Sequence, residues 1–204
     1  MIDLRNCDCM EYLSTCEDNA FELAIVDPPY GAVELMHSGS GKRELSNEMR
    51  WDQRPQQAYF DEVRRVAQHQ IVWGANYFIN NLPRSSRWVC WDKGKLHNFP
   101  EFELAWMSFD KPSRMFRYHR VDAYINDIDI KIHPTQKPVK LYEWLLINYA
   151  KKGDRILDTH LGSGSIALAC HNLNYNLVGC ELDEDYYNAA CKRLKQHQAQ
   201  QRMF

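Results

Sequence analysis

The chain has 204 residues, of which 45% are hydrophobic, enough to bury one sizeable core and short for two domains. A formal net charge of −2 excludes a global basic field of the kind that draws a whole domain onto nucleic acid, so any such partner has to be met by a local patch. The seven cysteines form no CxxC pair and no metal-ligand pattern with histidine, which excludes a zinc module and favours free thiols in a reducing cytosol.

Met1-Ile2-Asp3-Leu4-Arg5 does not read as a signal peptide, and no apolar run approaches the length of a membrane span. Met1–Leu4 reads as a short strand and Asp8–Cys16 as a short helix. Glu22–Val26 is the next strand, and it runs into Asp27-Pro28-Pro29-Tyr30. Residues 31–55 carry Ser38-Gly39-Ser40-Gly41 and no clean period, which predicts a long mobile loop. Gln56–Ala67 places Tyr59, Val63, Val66 and Ala67 on one helical face. Gln70–Trp73, Arg87–Trp91 and Phe102–Met107 read as strands. Lys111–Lys131 reads as a basic connector bearing aromatics, and Val139–Ala150 as an apolar helix.

The last third is the most regular. Arg155–Leu157 predicts a strand, Ser165–Leu173 a helix with Ile166, Ala169, Cys170 and Leu173 in register, and Leu177–Cys180 a strand. Asp185–His197 predicts a closing helix, with a polar, frayed tail from Gln198. Strands alternating with helices predict a single α/β domain over 1–204, a doubly wound, mostly parallel sheet covered on both faces.

Two stretches carry chemistry. In Asp27-Pro28-Pro29-Tyr30 the prolines fix two φ angles and remove two N–H donors, so the carboxylate, the Pro28 carbonyl and the Tyr30 ring are held in one arrangement. Two acceptors and a ring suit a planar group bearing an NH2. Alone, the tetrapeptide is more often a structural turn than a site. The second stretch is Asp158-Thr159-His160-Leu161-Gly162-Ser163-Gly164-Ser165, an acid at a strand end followed by a small-residue loop that opens a helix. Such a helix start suits a carboxylate, and the spacing is not the dinucleotide GxGxxG. Glu181, at the end of the next strand, stands where an acid commonly takes a ribose hydroxyl pair. An amino-acid carboxylate and a ribose on adjacent strands describe S-adenosylmethionine.

With both stretches in place, the chain resembles the beta-group N6-adenine/N4-cytosine DNA amino-methyltransferases over nearly its whole length. Their catalytic DPPY motif precedes the cofactor motif, as here. His133-Pro134-Thr135-Gln136-Lys137-Pro138 is similar to the segment that completes their cofactor site, and the segments 70–78 and 88–93 are similar to their strand motifs. The resemblance implies a Rossmann-like methyltransferase fold with the Asp27 and Asp158 strands side by side. It also implies that Met1–Arg5 lies beyond the Glu181 strand, with Asp8 near the cofactor adenine. Catalysis then falls to Asp27, Pro28, Pro29 and Tyr30. Cofactor contacts fall to Asp8, Asp27, Thr135, Lys137, Asp158, Gly162, Ser163, Gly164, Glu181 and Leu182. No metal is implied.

The implied reaction is methylation of adenine N6 in double-stranded DNA, on a flipped base. Tyr30 is the stacking candidate, and no Pro-Cys motif points to C5-cytosine chemistry. Arg114, Arg117 and Arg120, within a short target-recognition segment at 111–131, and Lys42 and Arg43 of the long loop are the candidate DNA contacts. Lys137 is the candidate partner of the methionine carboxylate, and His160 is read as steric lining. Rival readings are N4-cytosine or RNA adenine as substrate, a cofactor-binding but inactive subunit, and a small-molecule or protein methyltransferase. A homodimer, a cognate restriction endonuclease and a prokaryotic or phage-type cytoplasm are the associated expectations.

Overall fold

A computed structural model describes residues 1–31, 53–94, 100–119, 132–133 and 135–201. In chain order the elements are β1 (Ile2–Asn6), α1 (Cys9–Ser14), β2 (Phe21–Val26), α2 (Gln57–Val66), β3 (Ala67–Trp73), a 3-10 turn (Ala75–Tyr77), β4 (Trp88–Asp92), β5 (Phe102–Met107) and β6 (Arg114–Arg117). They continue with α3 (Val139–Tyr149), β7 (Arg155–Asp158), α4 (Ser165–Leu173), β8 (Asn176–Glu181) and α5 (Glu184–Gln201). The strands form one sheet in the order β1-β8-β7-β2-β3-β5-β4-β6. Among them β5 alone runs antiparallel to its neighbours, β3 and β4.

Both sheet faces are covered because the central strands are apolar on both sides. On β2, Leu23 and Ile25 join a core with α3, α4 and α5, while Ala24 and Val26 join a second core with α1 and α2. Strand order reverses between β7 and β2, the strands that deliver the two acids. There Leu23 pairs with Ile156 and Ala24 with Leu157, so the two parallel strands reach the same edge of the sheet. A crevice at such a reversal, beyond the strands' carboxyl ends, is where sheets of this kind bind ligands. As expected, β1 lies beside β8, with Asn6 opposite Glu181.

Two expectations need correction. The 111–131 connector contains a strand, β6, which pairs with β4 at the sheet margin. Its four residues show no alternation of apolar and polar, and only Phe116 is partly buried, so pairing with a neighbour and not local pattern makes the strand. The closing helix also runs past Gln198 to Gln201, since Gln and Ala are good helix formers and nothing in the segment stops them. The long loop lies mostly outside the described residues.

Candidate active site

Asp27 leaves β2 at the carboxyl edge of the sheet. Its Oδ2 meets the Lys137 ammonium, while its Oδ1 is buried without a hydrogen-bond partner among the described residues. Lys137 directly precedes Pro138, the cap of α3, so the start of that helix fixes where the lysine is delivered. Its side chain is 2% exposed, and its Nζ lies 3.2 Å from Glu103 Oε2 and over the Trp73 ring. Lys93 Nζ holds the other Glu103 oxygen at 2.8 Å. Burial raises the Asp27 carboxyl above its ordinary range, Lys137 draws it down, and Glu103 pushes it back up. Burial also works against the Lys137 charge, yet Asp27 and Glu103 hold that ammonium well above its usual value.

Lys137, the candidate partner of the methionine carboxylate, has its ammonium paired with two carboxylates, Asp27 and Glu103.

Tyr30 lies over the Gly74 backbone and stacks on Tyr77, with ring centroids 4.8 Å apart and planes 6° apart. Gly74 has φ +65°, and a Cβ there would fall 2.8 Å from the Tyr30 ring, so both the backbone and the packing require glycine. Arg54 Nε donates to the Tyr30 carbonyl at 3.1 Å, which ties down the far side of the corner.

Across the reversal, Asp158 is 2% exposed and accepts from the His160 N–H at 3.1 Å. Desolvation pushes its carboxyl up to about 8, with the Asp27 and Glu181 carboxylates adding to the rise. The effect of Asp27 on Asp158 fits two acids facing one crevice. Glu181 braces the loop after β7: Gly162 N–H donates to Oε2 at 2.7 Å and Asp183 N–H to Oε1 at 3.0 Å. Each oxygen keeps a second lone pair for an incoming hydroxyl. Gly164, at φ +72°, caps α4, and a Cβ on it would come 3.0 Å from Ala190 Cβ.

Arg193 of α5, absent from the sequence expectations, is buried and donates to the Ser163 carbonyl at 2.8 Å and to Ser165 Oγ at 3.0 Å. Helical spacing makes it look like a solvated charge, and only the packing of α5 under the loop shows its role. The His133 ring packs edge-on against Tyr186, centroids 4.5 Å apart, and lies beside Gly162. His160 is buried, and desolvation lowers its imidazole to about 4. Its Nδ1 is 2.9 Å from Thr159 Oγ1, which is 2.6 Å from the Tyr59 hydroxyl, so the ring is neutral lining near pH 7.

The remaining candidates are spread around these two clusters. Asp8 is exposed and caps α1, accepting from Met10 N–H at 2.7 Å, two residues beyond the β1 position that faces Glu181. Leu182 follows Glu181 and is 59% exposed, an apolar side chain at the rim. Thr135 is exposed and contacts His133. Of the DNA candidates, Arg114 donates to Asn148 Oδ1 at 2.7 Å, whereas the Arg117 side chain is 73% exposed beside Asp92. Lys42, Arg43 and Arg120 lie outside the described residues.

The profile of the N6/N4 DNA methylase family matches residues 47–192, a span that includes Lys137, the loop after β7 and Glu181 and begins after the Asp27 corner. The chain is 25% identical to the type II methyltransferase M.HhaII of Haemophilus parahaemolyticus over 192 residues, covering 81% of this chain and 84% of that protein. It is 36% identical to the type II methyltransferase M.HpaI of Haemophilus parainfluenzae over 83 residues, but that match spans 41% of this chain and 26% of M.HpaI. In three dimensions it resembles the crystal structure of an M1.HpyAVI–SAM complex, with TM-score 0.64 and 19% identity over 95% of this chain and 99% of that one. It resembles PvuII DNA methyltransferase, which is cytosine-N4-specific, with TM-score 0.64 and 13% identity over 97% of this chain and 90% of that one. The two structures speak to the fold, and the family profile to descent: the chain belongs to the N6/N4 DNA methylase family of S-adenosylmethionine-dependent amino-methyltransferases.

Proposed function

We propose that this chain transfers a methyl group from S-adenosylmethionine to the exocyclic N6 amine of adenine in duplex DNA, with the target base flipped out of the helix. The observation that carries the reading is the buried Oδ1 of Asp27, without a partner among the described residues, at the sheet edge it shares with Asp158.

The residues after β7 fit the methyl donor. The α4 start, capped by Gly164 where a side chain would collide with Ala190, suits the methionine carboxylate. Asp158 suits the donor's cationic part, and Glu181, with lone pairs to spare, suits the ribose hydroxyls. Leu182 and Asp8 suit the adenine ring and its amine. When bound, S-adenosylmethionine supplies an electrophilic methyl carbon on a sulfonium.

On the acceptor side, Asp27 Oδ1 and the Pro28 carbonyl take the two amine hydrogens and hold the nitrogen lone pair towards the donor. An aromatic amine is a weak nucleophile, so alignment and stabilisation of the positive charge growing on nitrogen do most of the work. The amine becomes acidic only as its new bond forms, and one proton then leaves through Asp27. The Tyr30 ring, backed by Tyr77, offers a platform for the extruded base. Arg117, whose side chain is 73% exposed, is the cation assigned to phosphate.

Adenine is preferred over cytosine because the corner begins with Asp, where the cytosine enzymes that the chain resembles more often carry Ser. Radiolabelled methyl transfer to unmethylated genomic DNA, followed by nucleoside identification, tests the reading. Label in N6-methyladenine is expected. Label in N4-methylcytosine, or none from protein that binds the donor, overturns it.

A further inference from the structure

The proposed reaction uses Asp27, yet three further charged residues are built into the same cluster. β5 runs antiparallel, so its beginning, not its end, lies at the carboxyl edge of the sheet, and that beginning carries Glu103. Trp91 of β4 pairs with Glu103, and Lys93, just past β4, reaches back to it at 2.8 Å. The result is a string of alternating charges, Lys93–Glu103–Lys137–Asp27, with both lysine side chains almost fully buried and lying over the Trp91 and Trp73 rings.

The string is uneven. Glu103 has two lysines and is held below the ordinary carboxylate range, although burial pushes the other way. Asp27 has one lysine, shared, on one oxygen. A lysine with no other partner would settle fully onto Asp27, cover both oxygens and weaken them as acceptors. Resting on the methyl-transfer reading above, we propose that Glu103, fixed by Lys93, is a positioning residue: by sharing Lys137 with Asp27 it keeps Oδ1 open for the acceptor amine. Neutralising the lysine charge alone would need one carboxylate, and the fold brings a second from a strand of opposite direction.

The two partners pull Asp27 in opposite directions, which makes the assignment measurable. The other groups that face Asp27 are Asp158 of β7, Tyr142 of α3, Tyr59 of α2 and Tyr30 of its own corner. All four stay in place in the variants below. The experiment is the pH dependence of kcat at saturating donor and DNA, with donor affinity measured in parallel.

Glu103→Gln is expected to move the acid limb to lower pH by about one unit, to lower kcat on the order of tenfold and to leave donor affinity unchanged. Lys137→Met moves the limb the other way, and Glu103→Asp recovers part of kcat. If a single variant fails to fold, the charge-balanced Lys93→Met/Glu103→Gln double variant carries the test, with the same downward shift expected. A Glu103→Gln profile superimposed on the wild type, or a loss confined to donor affinity, overturns the proposal. A wild-type chain that binds donor and methylates nothing removes the proposed function itself, which the wild-type control distinguishes.

Discussion

The two halves of the crevice are built by opposite means. The half proposed for the donor, around Asp158, Gly162, Gly164 and Glu181, is held mostly at backbone groups: N–H groups on carboxylates, a left-handed cap, and one arginine on a loop carbonyl. The half proposed for the acceptor, around Asp27, is held by side chains from remote parts of the chain, Lys137, Glu103 and Lys93, meeting as buried charges. A site made of backbone tolerates side-chain change and fails when a Cβ intrudes. A site made of ion pairs tolerates backbone neighbours and fails when one charge is left alone.

The largest effect belongs to the acceptor half. Asp27→Ala is expected to lower methyl transfer by about a thousandfold or more, the scale of losing an electrostatic contact made in the transition state. Donor binding should survive, and calorimetry beside a turnover assay checks both. If the variant loses donor binding and turnover together, the two halves are not separable in this way.

Gly164→Val tests the donor half from the other side. A β-branched residue forced to φ +72° costs about 1–2 kcal/mol before its clash with Ala190 is counted. Donor affinity should fall on the order of tenfold or more, while kcat at saturating donor changes little.

Donor binding should also depend on pH. Asp158, raised to about 8, is mostly neutral near pH 7, and a cationic donor favours its charged form. Donor affinity should therefore rise between pH 6.5 and 8.5 by about tenfold and then level off, and Asp158→Asn should flatten the curve. The same group affects folding. Its folded value lies above an ordinary aspartate value of about 4, so folding takes up a proton there. This contribution is fully favourable below about 4 and is lost as pH rises towards about 8. Denaturant midpoints of the wild type and Asp158→Asn across that window measure it.

The smallest effect should come from Gly74→Ala, whose Cβ pushes the Tyr30 ring off its stack with Tyr77. The KM for DNA is expected to rise by a few-fold, about 1 kcal/mol of lost stacking, with donor affinity intact. A shift in donor affinity instead would place Tyr30 in the donor half.

Much of this was legible in the chain itself. The order of elements, the apolar runs of β2 and β3, the amphipathic faces of α2 and α4, and the small-residue loop after β7 all follow from local periodicity and from glycine and proline at fixed offsets. Those signals are carried by neighbours in sequence, so one strand and one loop suffice to display them. The acids at strand ends were legible for the same reason, since a strand's carboxyl end in a parallel sheet is where a ligand is met.

Tertiary structure alone decided the rest. β6 exists because β4 offers it an edge, and its own four residues carry no strand pattern. Arg193 braces the loop because α5 packs beneath it. Lys137 meets Asp27 and Glu103 together because the antiparallel strand β5 carries Glu103 to the same edge. Charges separated by dozens of residues leave no periodic trace, since attraction between them acts through space and is set only when the fold brings them together in a buried, low-dielectric place.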